Sequence, residues 1–267
     1  MSHNRRGASD PRQNGIFIAR SAKVIYLKER NVAMLRKDLI LRNPMRLLGH
    51  ETDDILPSGA FGAVLACAGV GKTALMVQIA LNALLRDKNV LHISLNEPVH
   101  KVSLWYEEVF RNITSSYELH ETNELWETIL MHRFIMTFQV EGFSVPKLKE
   151  RLTDLTAQGI FFPQMIILDG LPFDKPVNQI LTDLKSLATD YRLPLWMAVR
   201  TNQHEDCGSD GLPVQIDGIS ELFNVAIQLQ PDGKEVLVKA LKGGNPAAGQ
   251  SNLYLDPSTL LIKDKAA

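Results

Sequence analysis

Residues Ala66 to Thr73 read Ala-Cys-Ala-Gly-Val-Gly-Lys-Thr, between the apolar run Ala63-Val64-Leu65 and a stretch, Ala74 to Leu85, whose apolar residues recur at helical spacing. A strand that passes into a helix through a glycine-rich octet ending in Gly-Lys-Thr restricts the chain to a small set of α/β architectures. Gly69 and Gly71 let backbone N–H groups turn inward around phosphate oxygens. Lys72 reaches the β- and γ-phosphates, and the Thr73 hydroxyl completes a Mg²⁺ shell. Ala66 stands where such loops usually begin with Gly. The expectation is that Ala66, Cys67, Ala68, Gly69, Val70, Gly71, Lys72, Thr73 and Ala74 line a nucleotide-phosphate cradle.

Two further strand ends carry acids. Met165-Ile-Ile-Leu-Asp169 is an apolar strand that finishes in a carboxylate, which places Asp169 beside the loop as a Mg²⁺ ligand, direct or through water. The alternative is an Asp that only caps a turn. Leu91 to Leu95 runs into Asn96-Glu97-Pro98, which makes Glu97 a candidate for orienting the attacking water; an acid there also suits the N-terminus of the helix that follows. The Leu195 to Val199 strand ends in Arg200-Thr201-Asn202-Gln203, polar groups positioned to sense a γ-phosphate, with Asn202 assigned to nucleotide binding.

The remainder of the pattern alternates strand and helix. Strands are expected over 90–95, 134–140, 165–168 and 195–199, with helices over 99–110, 121–132, 145–157 and 177–191. Strand patterns then dominate at 224–229, 235–241 and 252–262, separated by Pro-Asp-Gly and Gly-Gly-Asn-Pro turns. This predicts a mostly parallel sheet flanked by helices, with antiparallel strands at the C-terminal end. Residues 1–44 are read as a basic N-terminal extension with a helix near 21–42, and 45–267 as the main domain. Trp105, Tyr106, Phe110 and Trp126 fall on helical patterns as core or interface residues.

Charge is uneven. The whole chain carries −1, yet residues 1–50 hold eleven Lys or Arg against Asp10, Glu29 and Asp38, a net +8. Such a segment suits an acidic neighbour, whether another copy, a protein partner or nucleic acid, or it is simply solvated. The two cysteines, Cys67 and Cys207, lie apart and show no zinc spacing, and no apolar run reaches the ~20 residues of a membrane span. A soluble cytoplasmic protein is expected.

Taken in order, Leu56-Pro-Ser-Gly-Ala-Phe-Gly62, Ala66 to Thr73, Ser94-Leu-Asn-Glu97, Ile166-Ile-Leu-Asp169, Arg200-Thr-Asn-Gln203 and Lys239-Ala-Leu-Lys242-Gly-Gly-Asn-Pro246 resemble the RecA-type P-loop ATPase core, especially its DnaB-like and KaiC-like branch. The resemblance covers about residues 45 to 263. It implies a RecA-like α/β fold, ATP as substrate with Mg²⁺, Lys72 and Thr73 on phosphate and metal, Asp169 as the second metal residue, Glu97 as the catalytic glutamate, and homo-oligomers with nucleotide between subunits.

Two departures refine that expectation. The family usually brings a Lys-x-Arg pair from the strand corresponding to Lys239–Lys242 to a neighbour's γ-phosphate, but no Arg follows Arg200 in this chain. A finger in trans must then be Lys239 or Lys242, a point charge rather than a planar fork, and turnover is expected to be slow. In nucleic-acid motors of the family the loop after the 195–199 strand is basic. Here residues 203–221 contain Glu205, Asp206, Asp210, Asp217 and Glu221 and no Lys or Arg, which disfavours contact with a phosphodiester backbone. The expected function is a self-assembling, nucleotide-switched ATPase; the alternatives are a nucleotide-gated scaffold with little hydrolysis and a DnaB-like nucleic-acid motor.

Overall fold

The computed structural model describes residues 28–43, 56–174, 176–201, 212–243 and 253–265. Among the described residues nine strands form one sheet in the order β3-β2-β4-β5-β1-β6-β7-β8-β9. β1 (Phe61–Ala66), β2 (Val90–Ser94), β3 (Arg133–Thr137), β4 (Met165–Asp169), β5 (Leu195–Arg200) and β6 (Val225–Asp232) are mutually parallel. β7 (Glu235–Lys242), β8 (Leu253–Asp256) and β9 (Leu261–Asp264) extend the sheet antiparallel to one another and to β6. β1 is buried throughout, as are the first four residues of β4 and the first five of β5. Strands covered on both faces can be apolar at every position instead of alternating, which is why they read as continuous hydrophobic runs.

Helices cover both faces. On one side lie residues 28–42 (α1), α2 (Lys72–Leu84), α3 (Val99–Ile113) and α4 (Leu119–Leu130); α5 (Val145–Ala157) and α6 (Asn178–Asp190) lie on the other. α5 and α6 are amphipathic, burying Leu148, Leu152 and Leu155, and Leu181, Leu184 and Leu187, at three- and four-residue spacing. α2 differs, because it is apolar nearly all round and buried from Ala74 to Leu81 without a break. Its one buried polar side chain, Gln78, donates to Leu260 O at 2.8 Å and accepts from Ile262 N at 2.9 Å. The amide thereby pairs with two backbone groups of the β8–β9 hairpin, one of them on buried Ile262.

Several boundaries differ from the sequence reading. The run 252–262 is two strands, broken at Asp256-Pro257-Ser258, where the Asp256 carboxylate accepts from the Ser258 amide at 2.8 Å and the chain reverses. The strand expected over 134–140 ends at Thr137 and gives way to a short 3-10 turn, Val140–Gly142. Of the helix expected over 21–42, residues 21–27 lie outside the described residues.

α1 packs on the α2 side of the sheet and makes ion pairs within its own chain. Leu35 and Leu39 are buried in the α2-side core, Arg36 pairs with Asp87 and donates to Thr128 Oγ1 at 3.0 Å, and Lys28 pairs with Glu124 at 3.3 Å. The exposed ion pairs contribute little, so the buried leucines hold the helix in place. Among the described residues no helix is long and apolar enough to cross a membrane. Leu39→Ala should lower the unfolding free energy by about 2–5 kcal/mol, read from the urea midpoint. An unchanged midpoint would mean that α1 is not part of this core.

Candidate functional site

β1, β2, β4 and β5 run parallel, so the loops that follow them open at one edge of the sheet, where ligand crevices form in such folds. At that edge the chain leaves β1 and turns through Gly69 (φ 77°) and Gly71 (φ 109°) into α2. Position 71 favours glycine through its backbone angle, and a side chain there would also displace a leucine methyl. Its φ lies in the left-handed region, and a Cβ there would come within 2.4 Å of Leu255 Cδ2 on β8. α2 begins with no side-chain cap and no acid in its first turn. The N–H groups of a first turn have no intrahelical acceptors, so this end of the helix presents unfilled donors and the positive end of its dipole.

The lysine and threonine that follow are already organised. Lys72 Nζ donates to the carbonyls of Ala66 at 2.8 Å and Cys67 at 2.7 Å, folded back over the entrance of the loop. Burial lowers its pKa below the ordinary lysine value; Asp169 and Cys67 oppose that shift and the Arg200 charge adds to it. Thr73 Oγ1 donates to Asp169 Oδ2 at 3.1 Å. Burial raises the Asp169 pKa above the usual carboxylate value, outweighing the Thr73 hydrogen bond, the Lys72 charge and a backbone bond from Gly170, while Glu97 pushes it further up.

A cleft of about 840 Å³ opens beside these groups, with Lys72, Asn96, Asp169 and Arg200 in its polar wall and Leu171, Phe173 and Val214 in its apolar wall. A hydroxyl and a carboxylate 3.1 Å apart form a hard-oxygen donor pair of the kind that holds Mg²⁺ when phosphate oxygens and water complete the shell. Among the described residues no group of three or more His, Cys, Asp or Glu is gathered to hold a metal with protein ligands alone.

The other residues expected from sequence are distributed as follows. Glu97 follows the end of β2, and that end is pinned to β4 by the Ser94–Asp169 register and a 2.9 Å bond from Leu95 N to Asp169 O. The Glu97 amide donates to Ser94 Oγ at 3.0 Å, and its half-exposed carboxylate pairs with Lys101 at 3.1 Å, outside the cleft wall. Cys67 Sγ lies 3.6 Å from Thr201 Oγ1. Asn202 and most of the acidic 203–221 segment, up to residue 211, lie outside the described residues. β7 is separated from β1 by β6. Lys239 on β7 is exposed, and Lys242 Nζ donates to Ser220 O at 2.7 Å.

The sequence reading did not assign Asn96 or Leu255 to the site. Asn96 lies against Gly170, whose φ of 96° and lack of a Cβ admit its amide; its place beside Glu97 was the available signal. Leu255 is distant in sequence, and only the strand order brings it to Gly71. No family model matches the chain, and neither does any curated protein.

Asp169→Asn removes a buried charge while keeping an oxygen to accept from Thr73. Because burial outweighs the stabilising contacts, the variant should melt at a higher temperature than the parent and lose Mg²⁺-dependent ligand binding. A lower melting temperature, or Mg²⁺-dependent binding at parental strength, would contradict this account.

Proposed function

We propose that this chain is a cytoplasmic, Mg²⁺-dependent ATPase of RecA type, in the DnaB-like and KaiC-like branch, which self-assembles and uses nucleotide state as a switch. The observation that carries this reading is the meeting of Thr73 with Asp169 at 3.1 Å beside the uncapped start of α2. The strand order supports it, since β5 stands between β1 and β4 and brings a third strand end to the cleft. Each of these features is a weak signal alone, but together they suit a triphosphate.

In this reading the backbone from Gly69 to Thr73 and the first turn of α2 bind the phosphates. Lys72 exchanges its two carbonyl acceptors for phosphate oxygens, so its ammonium moves from one set of acceptors to another without being stripped bare. Thr73 and Asp169 hold Mg²⁺, which when bound neutralises charge on the β- and γ-phosphates. Glu97 orients and deprotonates the attacking water. To do so it must part from Lys101, an exposed pair worth at most about 1 kcal/mol. The catalytic contribution is therefore positional and electrostatic.

Assembly would set the nucleotide between subunits, with Lys239 or Lys242 of a neighbour as one source of further positive charge. A nucleotide-gated scaffold is the second reading, favoured by the absence of any Arg after residue 200 and by the hold of Ser220 on Lys242. Steady-state phosphate release at saturating ATP separates the two. The nucleic-acid motor is disfavoured by the acidic composition of residues 203–221.

Calorimetry should show Mg·ATP uptake by the parent and its loss in Lys72→Ala. Glu97→Gln should bind ATP at near-parental affinity while phosphate release falls by about 10²- to 10⁴-fold. Hydrolysis by Lys72→Ala at the parental rate would refute the assignment.

A further inference from the structure

The cleft contains one cation that the proposed chemistry has not yet used. Side chains alternate across a strand. Along β5, Trp196 and Ala198 pack into the core on the α2 side, and Met197 and Val199 pack into the opposite one. Arg200, two residues beyond Ala198, therefore projects to the α2 side. The same parity governs β4, where Met165 and Ile167 lie in the α2-side core, so Asp169 points the same way.

Register places Arg200 more closely still. It is aligned with Ala66, the residue where β1 ends and the phosphate loop begins, and β5 separates that strand from β4. Thr201 N donates to Ala66 O at 3.0 Å, which anchors the end of β5 to the loop entrance. Arg200 lines the same cleft as Lys72 and Asp169. Its charge is close enough to Lys72 to be felt there. The residue is exposed, and among the described residues no carboxylate or carbonyl engages its guanidinium.

We propose that Arg200 supplies, from within the same subunit, the planar cation that stabilises the transferring γ-phosphoryl group. This rests on the ATPase reading above and assigns that site a catalytic residue. In the reaction, a water oxygen forms a bond to Pγ, and the bond from Pγ to the β,γ-bridging oxygen breaks. ADP departs with that electron pair, and the water proton passes to Glu97. Arg200 forms no covalent bond and transfers no proton; its fork of N–H donors meets charge that develops on the γ-phosphoryl oxygens and the bridging oxygen. A lysine from β7 would bring a point charge without that geometry, and Lys242 is already held by Ser220. A cation fixed on a strand end also supplies this part of the charge from within the subunit, whatever a neighbour adds.

Three measurements on the full chain test this: calorimetric Mg·ATP binding, single-turnover phosphate release, and trapping of Mg·ADP with aluminium fluoride as a planar mimic of the transferring group. Arg200→Ala should bind Mg·ATP within tenfold of the parent, which also shows that it is folded. It should release phosphate about 10³-fold more slowly or worse and fail to trap the fluoride complex. Arg200→Lys should recover less than tenfold of the lost rate. Mixing Arg200→Ala with Lys72→Ala subunits should restore nothing, because each site needs both residues from one chain.

Phosphate release by Arg200→Ala within threefold of the parent would overturn the proposal. Recovery on mixing would do so as well, since it would place the arginine in a neighbour's site. A parent that binds Mg·ATP without releasing phosphate would overturn the arginine's role and leave nucleotide binding intact. A parent that binds no Mg·ATP would remove the ATPase reading itself and the proposal with it.

Discussion

The burial of α2 is the constraint on which the other features depend. A helix enclosed from Ala74 to Leu81 cannot slide or tilt without breaking contacts with β1, β4, β5, α3 and β9. Its first turn, in contrast, is left without a capping side chain or an acid. Apolar enclosure along the shaft fixes where the unfilled N–H groups point, and the dipole gives them a common sign. Gly71, held at a φ of 109° with Leu255 over the place a side chain would take, is the joint between β1 and this helix.

Around that joint the charges are set against one another. Lys72 is turned back on the loop carbonyls, Asp169 is buried and tied to Thr73, and Arg200 stands exposed at the next strand end. Burial disfavours the charged form of both Lys72 and Asp169. In the proposed reading, a ligand that carries negative charge together with a divalent cation would supply what each of them lacks.

Much of this organisation was legible in the sequence because it is local. The octet from Ala66 to Thr73 announces a strand-to-helix turn, α5 matches its expected limits of Val145 and Ala157, and the apolar runs of β4 and β5 mark strands covered on both faces. What escaped depends on residues remote in sequence. Strand order is a tertiary property, so the placing of β5 between β1 and β4 had no local signature, although the polar end of that strand at Arg200 did. The charge of residues 1–50 suggested an acidic neighbour or simple solvation, whereas the place of the helix over 28–42 is set by Leu35 and Leu39, which are buried in the α2-side core. The turn at Asp256 was hidden in a run that was otherwise apolar enough to be one strand.

Gln78 links the two ends of the chain's core. Its side chain both gives and receives a hydrogen bond, to Leu260 and from Ile262, across 182 and 184 positions. Leu260 holds a left-handed φ of 59°, a posture that costs a leucine about 1–3 kcal/mol unless its surroundings enforce it. The carboxamide is one such enforcer, and no residue with a single hydrogen-bonding function fills both roles. The outermost ribbon of the sheet is in this way keyed to the shaft that follows the Gly69–Gly71 turn, and any rotation of that shaft must carry the ribbon along or uncouple it.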